Sequence, residues 1–236
     1  MKVTVYALPT LVPPATPGPA VVIDVLRATS VMITALAHGA RAVRPVAEIE
    51  EARALAATFP PGTALCGGER RALPISGFPL GNSPLEYTPE KVAGKTVILT
   101  TTNGTRALAA LRHVEPLFIG AFLNAGAVAR TLAHLGQDAI LVCSGTRGRF
   151  SLDDASCAGR IVAHLKALVP DLVLDDLAYA ALLLSETHRT NLRELISHAG
   201  HYQYLLSLGL EPDIAYCLQE DIFDLVPNAS EGQIRG

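Results

Sequence analysis

The chain of 236 residues contains no unbroken apolar run approaching about 20 residues, the length a helix needs to span a bilayer, although half of its residues are hydrophobic. That hydrophobicity is read as a dense core, with no membrane partner. Cysteine is scarce: Cys66, Cys143, Cys157 and Cys217 are scattered, with no C-x-x-C pair and no histidine at zinc-finger spacing. Structural zinc is thereby excluded, and free thiols in a reducing compartment are expected. Cys143, closing an apolar run, reads as a small core hydrophobe before it reads as a nucleophile. Blocks of lysine and arginine are missing, and the formal net charge is −3, which argues against a nucleic-acid partner. The N-terminus, Met1 to Leu8, alternates like a first strand and lacks the apolar core and cleavage site of a signal peptide, so a cytoplasmic location is expected. Neither a tandem repeat nor a low-complexity segment occurs.

What the chain does have is a pattern used three times: a short apolar run, a small hydroxyl-rich loop with an arginine, then a helical stretch. The runs are Val21-Val22-Ile23-Asp24-Val25-Leu26-Arg27-Ala28-Thr29-Ser30, Val97-Ile98-Leu99-Thr100-Thr101-Thr102-Asn103-Gly104-Thr105-Arg106, and Ala139-Ile140-Leu141-Val142-Cys143-Ser144-Gly145-Thr146-Arg147-Gly148-Arg149. A helix N-terminus leaves amide N–H groups unpaired and carries partial positive charge, so it favours anionic oxygens. Arginine adds a planar fork of donors suited to phosphate or sulfonate.

Short β-branched or apolar runs predict strands near 3–7, 20–25, 42–46, 63–66, 96–100, 117–120 and 139–143. Ala- and Leu-rich stretches predict helices near 28–38, 47–58, 104–113, 124–135, 154–168, 175–185 and 190–208. The fold class implied is α/β: a largely parallel or mixed sheet flanked by helices in three layers, with a mainly helical C-terminal part, all in one domain spanning 1–236. The apolar composition and helical tail are compatible with a homodimer. Leu11 to Pro19 is too rich in proline for helix or central strand. Residues 67–89 are too long for a plain connector and read as an ordered flap anchored by Phe78 and Leu80.

Carboxylates beside the loops complete the pattern. Asp24 ends a buried run, Glu69 opens the flap, and Asp153-Asp154 precede a helix. Oxygen ligands of this kind suit Mg²⁺. Each has a plainer role available: Asp153 or Asp154 as a helix cap, Glu69 as a solvated loop charge, and Asp24 as the partner of Arg27 in a structural ion pair. A buried Asp24 needs a partner, and either an arginine or a cation would serve. The seven histidines, His201 among them, mostly fall on predicted helices away from the loops and read as surface or half-buried.

These residues resemble a known family, the 2-phosphosulfolactate phosphatases, along nearly the whole chain. The resemblance rests on Asp24 to Ser30, Gly68-Glu69-Arg70, Gly77 to Pro84, Thr101 to Arg106, and Ser144-Gly145-Thr146 with Asp153-Asp154; Leu208-Gly209, Asp213-Ile214 and Val226-Pro227 add weaker matches. The acidic pair departs from the family's usual Glu-Asp, which makes Asp154 the safer carry-over. The resemblance implies a Mg²⁺-dependent phosphatase that converts (2R)-2-phospho-3-sulfolactate to 3-sulfolactate and phosphate, a step of coenzyme M biosynthesis. Combined with the loop reading, it assigns catalysis to Asp24, Arg27 and Arg106 and metal binding to Asp24, Glu69 and Asp154. Substrate contacts are expected from Thr29, Ser30, Asn82, Ser83, Thr102, Asn103, Gly104, Thr105, Gly145, Thr146 and Arg147. Asp24 could instead act as a covalent nucleophile. A non-catalytic binding protein for a small phosphorylated or sulfonated acid, or a phosphatase or lyase acting on a related phospho-acid, would draw on the same arginines.

Overall fold

The computed structural model describes all residues from Met1 to Gly236. In chain order the first half comprises β1 (Lys2–Tyr6), β2 (Ala20–Ile23), α1 (Ala28–Ala37), β3 (Ala42–Pro45), α2 (Ile49–Ala56), β4 (Ala64–Arg70), β5 (Leu73–Pro74), α3 (Pro89–Val92), β6 (Thr96–Thr100) and α4 (Gly104–Ala110). Then follow β7 (Leu117–Gly120), α5 (Ala125–Leu135), β8 (Ala139–Cys143), α6 (Leu152–Leu168), β9 (Val173–Leu174) and α7 (Asp176–Thr187). The tail adds α8 (Leu192–Ser197), α9 (Gly200–Ser207), α10 (Glu211–Cys217), β10 (Asn228–Ser230) and β11 (Gln233–Arg235). No helix is long and apolar enough to cross a membrane.

All strands join one sheet in the order β5-β4-β6-β3-β11-β10-β7-β2-β8-β1-β9. It holds two parallel sets. In one, β6 is flanked by β3 and β4; in the other, β2 is flanked by β7 and β8, with β1 and β9 beyond. The C-terminal hairpin β10–β11 lies between the sets and pairs antiparallel with both β3 and β7. Three antiparallel steps reverse direction an odd number of times, so the two sets run in opposite senses along the ladder. Loops from the carboxyl ends of β2 and β6 nevertheless touch, which requires the sheet to bend across the hairpin. The expected mixed α/β sheet is thus present, and the hairpin is an addition to it.

Successive strand residues point to opposite faces, and both faces are covered here. Val21 and Ile23 of β2 pack with Val128, Leu132, Ile161 and Leu165 of α5 and α6. Ala20 and Val22 turn the other way, toward Val31, Met32 and Ala35 of α1. Double-sided burial explains why this strand is a continuous apolar run with no polar alternation. The flap is ordered, with β4 and β5 forming its start. Leu80 and Tyr87 are its buried anchors, the Tyr87 hydroxyl donating to the Gly81 carbonyl at 2.7 Å, while Phe78 packs half-buried in a small separate cluster.

Candidate active site

Two of the strand-to-helix loops are built on one plan. At the end of β2, the Thr29 hydroxyl accepts the Asp24 N–H at 3.1 Å and donates to the Asp24 carbonyl at 2.9 Å. At the end of β6, Thr105 does the same for Thr101, at 3.3 and 2.9 Å. The strand-end side chain then accepts an amide from the first helical turn: Ala28 N–H reaches Asp24 Oδ1 at 3.4 Å, and Thr105 N–H reaches Thr101 Oγ1 at 3.2 Å. These contacts use amides that a helix start leaves without an intrahelical partner. The Gly104 backbone also holds the Asp24 carboxylate. A Cβ at Gly104 would lie 2.6 Å from Ala28 Cβ and 2.8 Å from Asp24 Oδ2, so only glycine lets the starts of α1 and α4 close on one acid.

Despite those amides, the Asp24 carboxyl is pushed up from 3.8 to about 7, first by burial, then by the Asp153 charge, and less strongly by Glu69. No arginine offsets it. Arg27 Nη1 binds the Asp213 carboxylate of α10, and Nη2 donates to the Ala72 carbonyl at 3.0 Å. The other Asp213 oxygen accepts the Ser83 hydroxyl at 2.6 Å. An Asp24–Arg27 ion pair, one of the two partners open to Asp24 from sequence, therefore does not form.

Glu69 and Asp154 do a different job. Glu69 accepts the Thr102 N–H at 2.8 Å and the Ala72 N–H at 2.7 Å, stapling the β4–β5 turn to the β6 loop. Asp154 accepts the N–H groups of Val25 and Gly145, each at 3.0 Å, stapling the β2 loop to the β8 loop. Its carboxyl is also raised, by burial and then by Asp153 and Asp24. Neither acid of the pair caps α6 with its side chain; Asp153 accepts from the Ser151 hydroxyl. Glu69 is buried, not a solvated loop charge.

The loops line an open cleft whose wall includes Asp24, Arg27, Glu69, Asn82, Thr102, Asn103, Thr146 and Arg147, all anticipated from sequence. Asn82 Oδ1 is buried with no hydrogen-bond partner in the protein. Other anticipated residues stand behind the wall. Thr29 and Thr105 are the braces described above, Ser30 donates to the Val25 carbonyl at 2.8 Å, Ser83 holds Asp213, and Gly104 and Gly145 contribute backbone only. Arg106 is exposed and lines a neighbouring surface cleft with Thr10 and Gly148. Leu26, Arg71, Ala72, Thr101, His201 and Tyr204 also line the central cleft and were not anticipated. His201 is half-buried, as expected, and is an exception to the histidines' general distance from the loops; the docking of α9 brings it to the cleft. The thiols of Cys143, Cys157 and Cys217 are buried, free and raised by burial, hence inert.

No three acidic, histidine or cysteine side chains gather to enclose a metal ion. The donor set still suits a hard divalent cation: Asp24 faces the cleft without a cationic partner, and Asp153 and Glu69 add negative charge around it. Mg²⁺ commonly takes one or two carboxylates and completes its shell from water and substrate phosphate.

An acid-floored cleft with arginines at its edge, set in an α/β sheet, suits a small anionic substrate, and the family the chain matches makes it an enzyme of the phosphoric monoester hydrolase class. A family model described as 2-phosphosulpholactate phosphatase matches residues 6–232, and the chain belongs to that family. It is 48% identical over 215 residues to a probable 2-phosphosulfolactate phosphatase of Caldanaerobacter subterraneus subsp. tengcongensis, covering 91% of this chain and 89% of the relative. A protein of the same description from Thermotoga maritima is 47% identical over 213 residues, 90% of this chain and 89% of its own. One from Gloeobacter violaceus is 44% identical over 228 residues, covering 96% and 94%.

Proposed function

We propose that this protein is a Mg²⁺-dependent phosphatase that hydrolyses (2R)-2-phospho-3-sulfolactate to 3-sulfolactate and inorganic phosphate, a reaction of the coenzyme M biosynthetic type. Family membership supports the reaction. The observation that carries the cation dependence is Asp24: a buried carboxylate, open to the cleft, whose charge no basic side chain offsets.

Asp24 would hold the ion, with Asp153 and Glu69 lending negative potential. Bound there, Mg²⁺ would neutralise phosphate oxygens and favour attack by water. Arg27 meets the charge that grows on the phosphoryl group in the transition state, its guanidinium plane fixed by Asp213 and the Ala72 carbonyl. Asn82, Thr102 and Asn103 supply polar contacts to phosphate oxygens from the same wall. Glu69 and Asp154 hold the loops in register, so that these donors are placed before substrate arrives. Water's oxygen bonds to phosphorus, the bond from phosphorus to the C2 oxygen breaks, and that oxygen ends as the hydroxyl of 3-sulfolactate.

The test is phosphate release from 2-phospho-3-sulfolactate beside phospholactate, 2-phosphoglycerate and an aryl phosphate, each with Mg²⁺ and with chelator. The expected result is a strong Mg²⁺-dependent preference for the sulfonated substrate. Activity on the others alone would retain the chemistry and discard the substrate; no release from any would favour a binding protein or a lyase. Rapid-quench labelling would test the aspartyl-phosphate route, which label on Asp24 would establish.

A further inference from the structure

Two arginines at the cleft mouth have no carboxylate partner. Arg71 and Arg147 both line the cleft, are exposed, and take part in none of the protein's ion pairs. Both sit on turns held in left-handed backbone that non-glycine residues rarely adopt, with φ of +55° at Arg71, +63° at Ala72 and +53° at Arg147. Such conformations persist only where the surroundings impose them. The Arg71–Ala72 turn is fixed by Glu69, which accepts the Ala72 N–H, and by Arg27, which donates to the Ala72 carbonyl at 3.0 Å. The Arg147 turn is closed by a reciprocal backbone pair between Thr146 and Arg149, at 2.9 and 3.1 Å.

One residue ties the two turns together. The Tyr204 hydroxyl of α9 donates to the Arg71 carbonyl at 2.9 Å, and its ring lies under the Arg147 guanidinium, 5.4 Å from centroid to Cζ. The cleft is thus acidic at its floor, around Asp24, and basic at its mouth. Unpaired arginine forks are suited to an oxyanion; here the Arg147 fork is held over Tyr204 and the Arg71 fork springs from a fixed turn.

We propose that Arg71 and Arg147, assembled by Tyr204, form a second anion subsite that receives the sulfonate of the substrate while the phosphate lies against the Asp24 floor. This rests on the phosphatase reading above. In 2-phospho-3-sulfolactate the sulfonate sulfur is one bond farther from phosphorus than the carboxylate carbon, which makes it the anion that reaches the mouth. Arg71 and Arg147 are then specificity-determining residues, and Tyr204 a positioning residue.

The test compares kcat/KM for 2-phospho-3-sulfolactate and phospholactate, which differ by the sulfonate. In Arg71→Gln and Arg147→Gln the ratio should fall at least tenfold, mainly through KM of the sulfonated substrate, with partial recovery in Arg71→Lys. Tyr204→Leu should lower the ratio in the same sense, and Tyr204→Phe, which keeps the ring under Arg147, by less. Equal losses on both substrates would overturn the subsite. Should the wild type release phosphate from neither compound, the phosphatase reading fails by itself, and calorimetric titration with 3-sulfolactate and lactate still decides the subsite. Sulfolactate binding that weakens at least tenfold in Arg147→Gln would sustain it; equal binding by the variant, or none by the wild type, would overturn it.

Discussion

The β2 and β6 loops share one scaffold, with the bracing threonine five residues after Asp24 in one and four after Thr101 in the other, and they differ in the functional group at the strand end. Each lies at the end of a strand flanked on both sides within a parallel set, and each is closed by a threonine that bonds both backbone groups of the strand-end residue. Each set also has its stapling acid, Glu69 in one and Asp154 in the other. What differs is the strand-end side chain that meets the helix start, a hydroxyl at Thr101 and a carboxylate at Asp24. The repeated scaffold secures shape, and the Asp24 carboxylate, without a basic partner at the cleft floor, supplies chemistry.

The sharpest way to break this comparison is to make the loops alike. Asp24→Thr gives the β2 loop the side chain of its counterpart, and Asp24→Asn keeps the shape without the charge. Both are expected to fold and to lose roughly a thousandfold or more of Mg²⁺-dependent turnover, the scale of removing a main electrostatic contributor. Thr101→Ser should cost less than about tenfold by the same assay. Asp24→Asn activity close to wild type would remove Asp24 from the chemistry.

The largest stability effect is expected at the link between the tail and the cleft. Asp213→Ala leaves the buried Arg27 guanidinium without its carboxylate and should cost about 3–5 kcal/mol in denaturant unfolding, the range for breaking a buried pair. A loss under about 1 kcal/mol, typical of surface pairs, would show that the pair is solvated.

The charge at Asp24 should be visible as pH dependence in chelator. With its carboxyl near 7 when folded and an ordinary value of 3.8, the native state keeps a proton that the unfolded chain has lost, so stability falls as pH rises between those values. The full cost, roughly 4 kcal/mol at most, is present only above the folded value. Asp24→Asn should therefore be more stable than wild type at pH 8, with the gap closing as pH drops toward 4. A gap that does not change with pH would contradict the raised value.

The smallest effects belong to the braces. Thr29→Val and Thr105→Val should each cost about 1–3 kcal/mol, the penalty for buried backbone groups left without a partner. Their similarity would sharpen the view of one scaffold used twice; a cost confined to one of them would undo it.

Much of this was legible because the strands are buried on both faces and stand out as apolar runs between glycine and proline. The tail hairpin was not. Asn228–Ser230 and Gln233–Arg235 have three residues each, only Ile234 among them is buried, and their pairing depends on β3 and β7, which lie far away in sequence. Their turn places Glu231 and Gly232 at positive φ, +51° and +72°, but Glu-Gly is a weaker turn signal than Asn-Gly. The predicted 190–208 helix is interrupted at Ala199, in extended backbone with ψ +131°, just before Gly200. Site residues carried by the loops could be read from their strand ends. Those brought by folding at a distance, His201 and Tyr204 from α9 and Asp213 from α10, have no local signal. Sequence also marked Thr29, Ser30 and Thr105 as polar without showing that their hydroxyls turn to their own backbone.

The most direct measurement is the titration of the Asp24 carboxyl by carbon NMR of labelled protein, assigned against Asp24→Asn, in chelator and in Mg²⁺. The expected result is a midpoint near 7 without the ion and a fall of about one unit or more with it. A midpoint near 4 in chelator, or one that Mg²⁺ leaves unmoved, would contradict the reading of Asp24 as an unmatched charge built to receive a cation.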